Sequence, residues 1–205
     1  METWMPSFSG KPIELLAPKA SEVDFRDIAD ALAHLNRYHG NARTPVSVGL
    51  HKLIGVDEAP EGLKAHWLLH DAHEHRVGEH ATPAKNALAE LMRGMFGTKA
   101  ADNLREAMRQ FAAIHDGAIY RAAGLNVPTT EQLAAIRALD LRCLATERRD
   151  FLAEQTRRWG IDEAGILPFP KARKWKAPDR VADALFEKFT RYLPALQGRS
   201  GRAAY

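Results

Sequence analysis

Apolar residues in this chain return every three or four positions, and that period restricts the available folds more than any other feature. Phe25, Ile28, Leu32 and Leu35 recur in this way behind Asp24, a residue suited to capping a helix. A short helical segment, VSVGLHKLI, follows and is expected to stop between Gly55 and Pro60. The next, EGLKAHWLLHDAHEHRVG, carries its stripe at Leu63, Trp67 and Leu68, with residues 63–76 taken as helical. Further helices are expected from Pro83 through AKNALAELMRGMF, over 100–123, over 130–158, and in a last amphipathic run with Val181, Leu185, Phe189, Tyr192 and Leu193. Ala and Leu dominate the apolar set and β-branched residues are comparatively few, which favours helix over sheet. The expected fold class is all-α.

Pro6, Gly10, Pro12 and Pro18 keep residues 1–22 out of a helix, so they read as an extended arm that packs through Trp4, Phe8, Ile13, Leu15 and Leu16. Residues 166–196 read as a Pro-rich wrap, ILPFPKARKWKAP, leading into the last helix, after which GRSGRAAY is expected to fray. No repeat and no long linker divides the 205 residues, so one domain over 1–205 is expected. The formal charge of +3 is too small and too dispersed for a dedicated nucleic-acid binder, and the KARKWK patch at 171–176 reads as an exposed connection. No stable nucleic-acid partner is expected. The single Cys143 fits a reducing compartment and a buried helical thiol. There is no basic segment followed by an apolar one at the N-terminus and no run of about 18 apolar residues, so the expected location is cytoplasmic and free of membrane.

The stretch LLHDAHEH, 68–75, concentrates the chemistry. On a continuous helix Glu74 shares a face with both His70 and Asp71, while His70 and Asp71 diverge by about 100° and can still grip an ion lying between them. Imidazole with carboxylate suits a borderline divalent ion. Further ligands must come from elsewhere, and His51 and Asp140 are the natural candidates. Asp140, bracketed by Leu139 and Leu141, would be costly to bury without a partner. Isolated histidines are more often hydrogen-bonded or solvated than ligating, so His34, His39, His66, His75, His80 and His115 are assigned no role. The zinc-protease pattern HExxH is absent, because Val77 stands where its second histidine would be.

The order His51, His70-Asp71, Asp140 resembles the HD-domain superfamily of metal-dependent phosphohydrolases, in particular its small bacterial and phage 5′-deoxynucleotidase-like and dATP triphosphohydrolase-like members. SGKPIELLAPKASEVDFRDIADALAHLNRYHGNAR, VSVGLH, LLHDAHE with VGEHATPAK, and LDLRCLATERRDF each look like segments of that family, so the resemblance spans nearly the whole chain. It implies a compact HD-domain helical bundle and one divalent ion (Mn, Co, Fe, Ni, Zn or Mg) held by His51, His70, Asp71 and Asp140. It further implies that Glu74 positions or deprotonates the attacking water beside Asp71, and that Arg37 meets the substrate phosphate, with Tyr38 in the usual aromatic position. Glu79 takes the place of an acidic residue that is commonly Asp, and Thr82 and Lys85 match a pocket-lining pattern. Arg43 is a second candidate for the phosphate.

Lys52 departs from the family, where Ser often follows the first histidine, and the 51–70 segment is short. The expected activity is hydrolysis of the 5′-phosphoester of a (deoxy)nucleoside monophosphate. The alternatives are release of triphosphate from a purine dNTP and a regulatory module that only binds nucleotide. The resemblance also implies a homo-oligomer, a dimer.

Overall fold

The structure is a computed structural model in which residues 2–197 are described; the tail GRSGRAAY lies outside them. It is mostly α-helical. The arm begins as a small ribbon in which β1 (Trp4–Pro6) pairs antiparallel with β2 (Pro12–Glu14), Met5 opposite Ile13. Ile13 is buried, whereas Trp4, Phe8 and Leu16 are about half exposed or more. The expected packing of the arm is therefore narrower than its composition implies: in β2 Ile13 faces inward while its neighbours Pro12 and Glu14 face out, as strand alternation requires.

In α1 (Phe25–His34) Asp24 caps as expected, accepting from the Arg26 and Asp27 backbone N–H groups at 2.9 and 3.5 Å. Phe25, Ile28 and Leu32 are buried, and Leu35 falls just past the helix end. In α2 (Val48–Glu58), capped by Ser47, every residue from Val48 to Val56 is buried. A helix covered on all sides is the centre of a bundle, and the polar His51 and Lys52 are drawn inside with it. The helix ends at Glu58, within the expected Gly55–Pro60 window, and Gly55 itself lies inside it. A side chain at Gly55 would overlap the Trp67 indole, whose Nε1 donates to the Lys52 carbonyl at 2.9 Å, so this glycine serves close approach and not a turn.

The helix expected over 63–76 is broken. A turn at Glu61–Leu63 leads into α3 (Lys64–Leu69), and after a gap of turn residues α4 spans Glu74–Val77. His70 is extended (ψ 137°) and Asp71 is left-handed (φ 56°), a conformation aspartate tolerates better than most residues. α5 (Thr82–Phe96) packs on α6 (Thr98–Ala123). α7 (Thr130–Phe151) opens with a Thr129–Gln132 capping box and ends short of the expected 158, because the chain turns to bury Leu152 and the Phe151 carbonyl accepts from the Thr44 backbone N–H at 3.0 Å.

After α8 (Gly160–Glu163) the wrap is non-helical, tied to α7 by Phe169 N–H donating to Thr146 Oγ1 at 2.9 Å. α9 (Pro178–Tyr192) lies along α1, with Phe25 and Phe189 rings 5.7 Å apart, and α10 (Pro194–Gln197) follows. Cys143 is buried as expected, and burial pushes its thiol pKa up. Among the described residues no helix is long and apolar enough to cross a membrane.

Candidate metal centre

His51 on α2, His70 at the end of α3 and Asp140 in mid-α7 bring ligand atoms within 4.8 Å of one another. His51 Nε2 lies 3.3 Å from Asp140 Oδ1, and His70 Nε2 lies 3.1 Å from Asp71 Oδ2. Ligand atoms about 2.1 Å from one ion stand about 3.0 Å apart at right angles and about 3.4 Å apart tetrahedrally, so both spacings fit neighbours in a coordination shell. Asp71 is outside the trio that converges most closely; its carboxylate also lies 4.0 Å from Lys52 Nζ.

The orientation of each imidazole has an identifiable cause. His51 Nδ1 donates to Glu147 Oε1 at 2.6 Å, which leaves Nε2 as the bare acceptor, fully buried and without a hydrogen bond among the described residues. Burial, then the charge of Arg37, lowers the His51 pKa to about 4, so the ring is neutral at neutral pH as a ligand must be. His70 Nδ1 faces the Trp67 carbonyl at 2.8 Å and Lys52 Nζ also at 2.8 Å. The carbonyl requires a proton on Nδ1, so the ammonium is left to donate to the His70 carbonyl, which it contacts closely, and His70 Nε2 turns toward the cluster. The unprotonated His51 Nε2, with His70 Nε2 and the Asp140 carboxylate beside it, is a donor set that fits a divalent ion.

Glu147 is the part of the centre that the sequence reading missed. It is fully buried and accepts from His51 Nδ1, from the Tyr38 hydroxyl at 2.6 Å and from Arg37 Nε at 3.0 Å. Burial alone would push its pKa up, but Arg37 and then His51 bring it down to about 2. A signal was available: Glu147 follows Asp140 by seven residues, two helical turns, and so shares its face.

Arg37 and Tyr38 are thus tied to Glu147 from a tight turn in which Tyr38 and His39 are left-handed, at φ 58° and 51°. Glu74 begins α4, and the break at Asp71, not a continuous helical face, sets its relation to His70. Its Oε2 is buried without a partner, and burial, then Asp71, raises its pKa to about 8. Lys52 is fully buried, and its pKa is lowered by burial against the pull of Asp71 and Glu74. Asp71 is held well below its usual range: burial opposes ionisation, but His70 and Lys52 outweigh it.

A cavity of about 740 Å³ opens beside the cluster, lined by His70, Asp71, Asp140, His73, Arg109 and Arg137 among others. His73, unassigned in the sequence reading, pairs there with Asp116 at 2.9 Å. A neighbouring cavity of about 410 Å³ is lined by His73, Glu74 and Lys85. Thr82 is exposed at the start of α5, and half-buried Glu79 has an unpartnered Oε2. Arg43 lines a different cavity, with Arg148 and Arg149, and is not brought to the cluster.

The fold and site define a mostly helical protein with a His51–His70–Asp140 group able to hold a metal ion, an arrangement compatible with an HD domain. No protein-family model matches the chain. An uncharacterized protein of Rhodobacter capsulatus is 34% identical over 97 residues, a match covering 42% of this chain and 49% of that protein. The chain thus spans about half the length of the curated relative it matches.

Proposed function

We propose that this protein is a metal-dependent phosphohydrolase of nucleotides, hydrolysing the 5′-phosphoester of (deoxy)nucleoside monophosphates. The observation that carries the reading is the convergence of His51, His70 and Asp140 from three helices with both imidazoles already oriented for ligation. Asp71, 3.1 Å from His70 Nε2, would complete the ligand set. A bound divalent ion would supply charge to polarise a phosphoryl oxygen and to acidify a water.

The chain's own residues would do the rest. Glu74, with a free Oε2 near the acidic cluster, would take the proton from the attacking water once a bound divalent ion offsets the burial and the Asp71 charge that raise its pKa. Arg37 keeps its Nε on Glu147 and offers the remaining edge of its guanidinium to phosphate oxygens. Lys85, on the wall shared with Glu74, supplies a second positive charge at the pocket rim. Arg109 and Arg137 line the larger cavity, where an anionic substrate reaches Asp140.

The test is hydrolysis of (d)NMPs and (d)NTPs by metal-stripped protein to which Mn, Co, Ni or Mg is returned, with the phosphorus-containing product identified. Inorganic phosphate from monophosphates is expected, with Glu74→Gln binding metal normally and losing at least about a hundredfold in kcat. Tripolyphosphate as the product would move the assignment to a dNTP triphosphohydrolase. Metal binding without turnover on any nucleotide would overturn the enzymatic reading.

A further inference from the structure

Arg76, in the last turn of α4, is only 4% exposed and lacks the counter-charge such burial requires. Its Nε donates to His75 Nε2 at 3.1 Å, its Nη2 reaches the Glu22 carbonyl only at 3.5 Å, and its Nη1 has no partner among the described residues. Glu22 is the acid whose charge acts on it, yet that carboxylate is held by Lys19, 3.6 Å from its Nζ. A buried guanidinium without an anion is strongly unfavourable. Burial first, and then Arg76, lowers the pKa of the neighbouring His115 and His75, so both imidazoles are neutral at neutral pH and neither competes for an anion.

Arg76 and His75 line a cavity of about 340 Å³ whose other walls include Met5, Ala31, Leu35 and Glu74. Apolar walls lower the local dielectric and strengthen any charge pair formed there. The volume sits at the small end of ligand pockets, which run from about 300 Å³. Glu74 does not close the cavity by pairing with Arg76, because its Oε2 has no partner.

We propose that Arg76 anchors a second site, separate from the His51–His70–Asp140 cluster, that binds a small oxyanion of the phosphate or carboxylate class. A planar guanidinium can hold two oxygens of either at once. The anion completes the buried charge of Arg76 and packs between the N-terminal ribbon and α1, so its binding stabilises the fold. Because Glu74 lines the same cavity, occupancy is sensed by a residue of the candidate active site. The inference does not rest on the hydrolase reading.

The test is thermal unfolding and calorimetric titration of metal-stripped protein with inorganic phosphate, and separately with acetate, at constant ionic strength. In the wild type Tm is expected to climb with the logarithm of the anion that binds, as linkage requires. Arg76→Met should abolish the response, Arg76→Lys should weaken binding about tenfold by losing the two-point contact, and Asp140→Asn should retain it. If Arg76→Met fails to fold, Ala31→Leu keeps the arginine but fills the cavity, and loss of the response supports the site. No response to either anion in the wild type, or an undiminished response in Arg76→Met or Ala31→Leu, overturns the proposal. Loss of the response in Asp140→Asn would assign the anion to the metal cluster and overturn it equally.

Discussion

Replacing Glu147 by Gln preserves its shape and removes its charge, and the consequences can be worked from its contacts. The carboxylate accepts from His51, Tyr38 and Arg37 at 2.6 to 3.0 Å and is fully buried. Its pKa falls from the usual 4.5 to about 2 on folding. At about 1.4 kcal/mol per tenfold change in proton affinity, ionised Glu147 contributes about 3 kcal/mol at neutral pH. Because the folded value is the lower one, that stability is complete above about pH 5 and is lost as pH falls toward 2. Loss of one partner from a buried ion pair costs a similar amount, about 3–5 kcal/mol, since Arg37 is left without its counter-charge. Urea unfolding of Glu147→Gln in EDTA should therefore show a loss of about 3 kcal/mol at pH 7 that narrows as acid is added. The same variant should bind divalent metal about 10- to 100-fold more weakly in calorimetry, because an amide can present either its oxygen or its N–H to His51 Nδ1 and no longer fixes the tautomer. A loss below about 1 kcal/mol, or one that does not change with acid, would refute this account of Glu147.

Two further outcomes test the packing. Gly55→Ala would place a methyl group in the volume of the Trp67 indole and should cost about 1–3 kcal/mol or more in chemical unfolding, with a change in the near-UV signal of that tryptophan. A neutral effect would show that α2 and α3 are spaced more widely than described. His115, whose pKa burial lowers to about 4, is neutral when folded and takes a proton when unfolded below its usual 6.5, so stability should fall by up to about 3 kcal/mol as pH drops from 6.5 to 4. His115→Leu should flatten the unfolding free energy over that window; an unchanged slope would locate the acid sensitivity elsewhere.

The helices were legible because their cause is local. The apolar period of α1, α5, α6 and α9 and the Asp24 cap lie within a few residues of each other, and the structure forms them where that pattern places them. His51, His70 and Asp140 were also legible as residue types, since acidic and imidazole groups set among leucines need a partner in the interior. The failures lie where a distant contact overrules a local preference. The run over 63–76 carries a helical stripe, but Asp71 turns left-handed beside His70 and Lys52 and divides it.

The amino-acid order by itself determined most of the helical stretches, α1, α5, α6 and α9 among them, and which side chains are available to bind a metal, because periodicity and side-chain chemistry need no knowledge of the fold. Tertiary structure alone decided that the 63–76 helix breaks, so that Asp71 turns left-handed beside His70 over the buried Lys52. It alone decided that Glu147 orients His51 and that Arg76 is buried without a counter-charge. Those outcomes depend on which groups meet across long sequence separations, and on the desolvation that results. Neither quantity exists until the helices have packed.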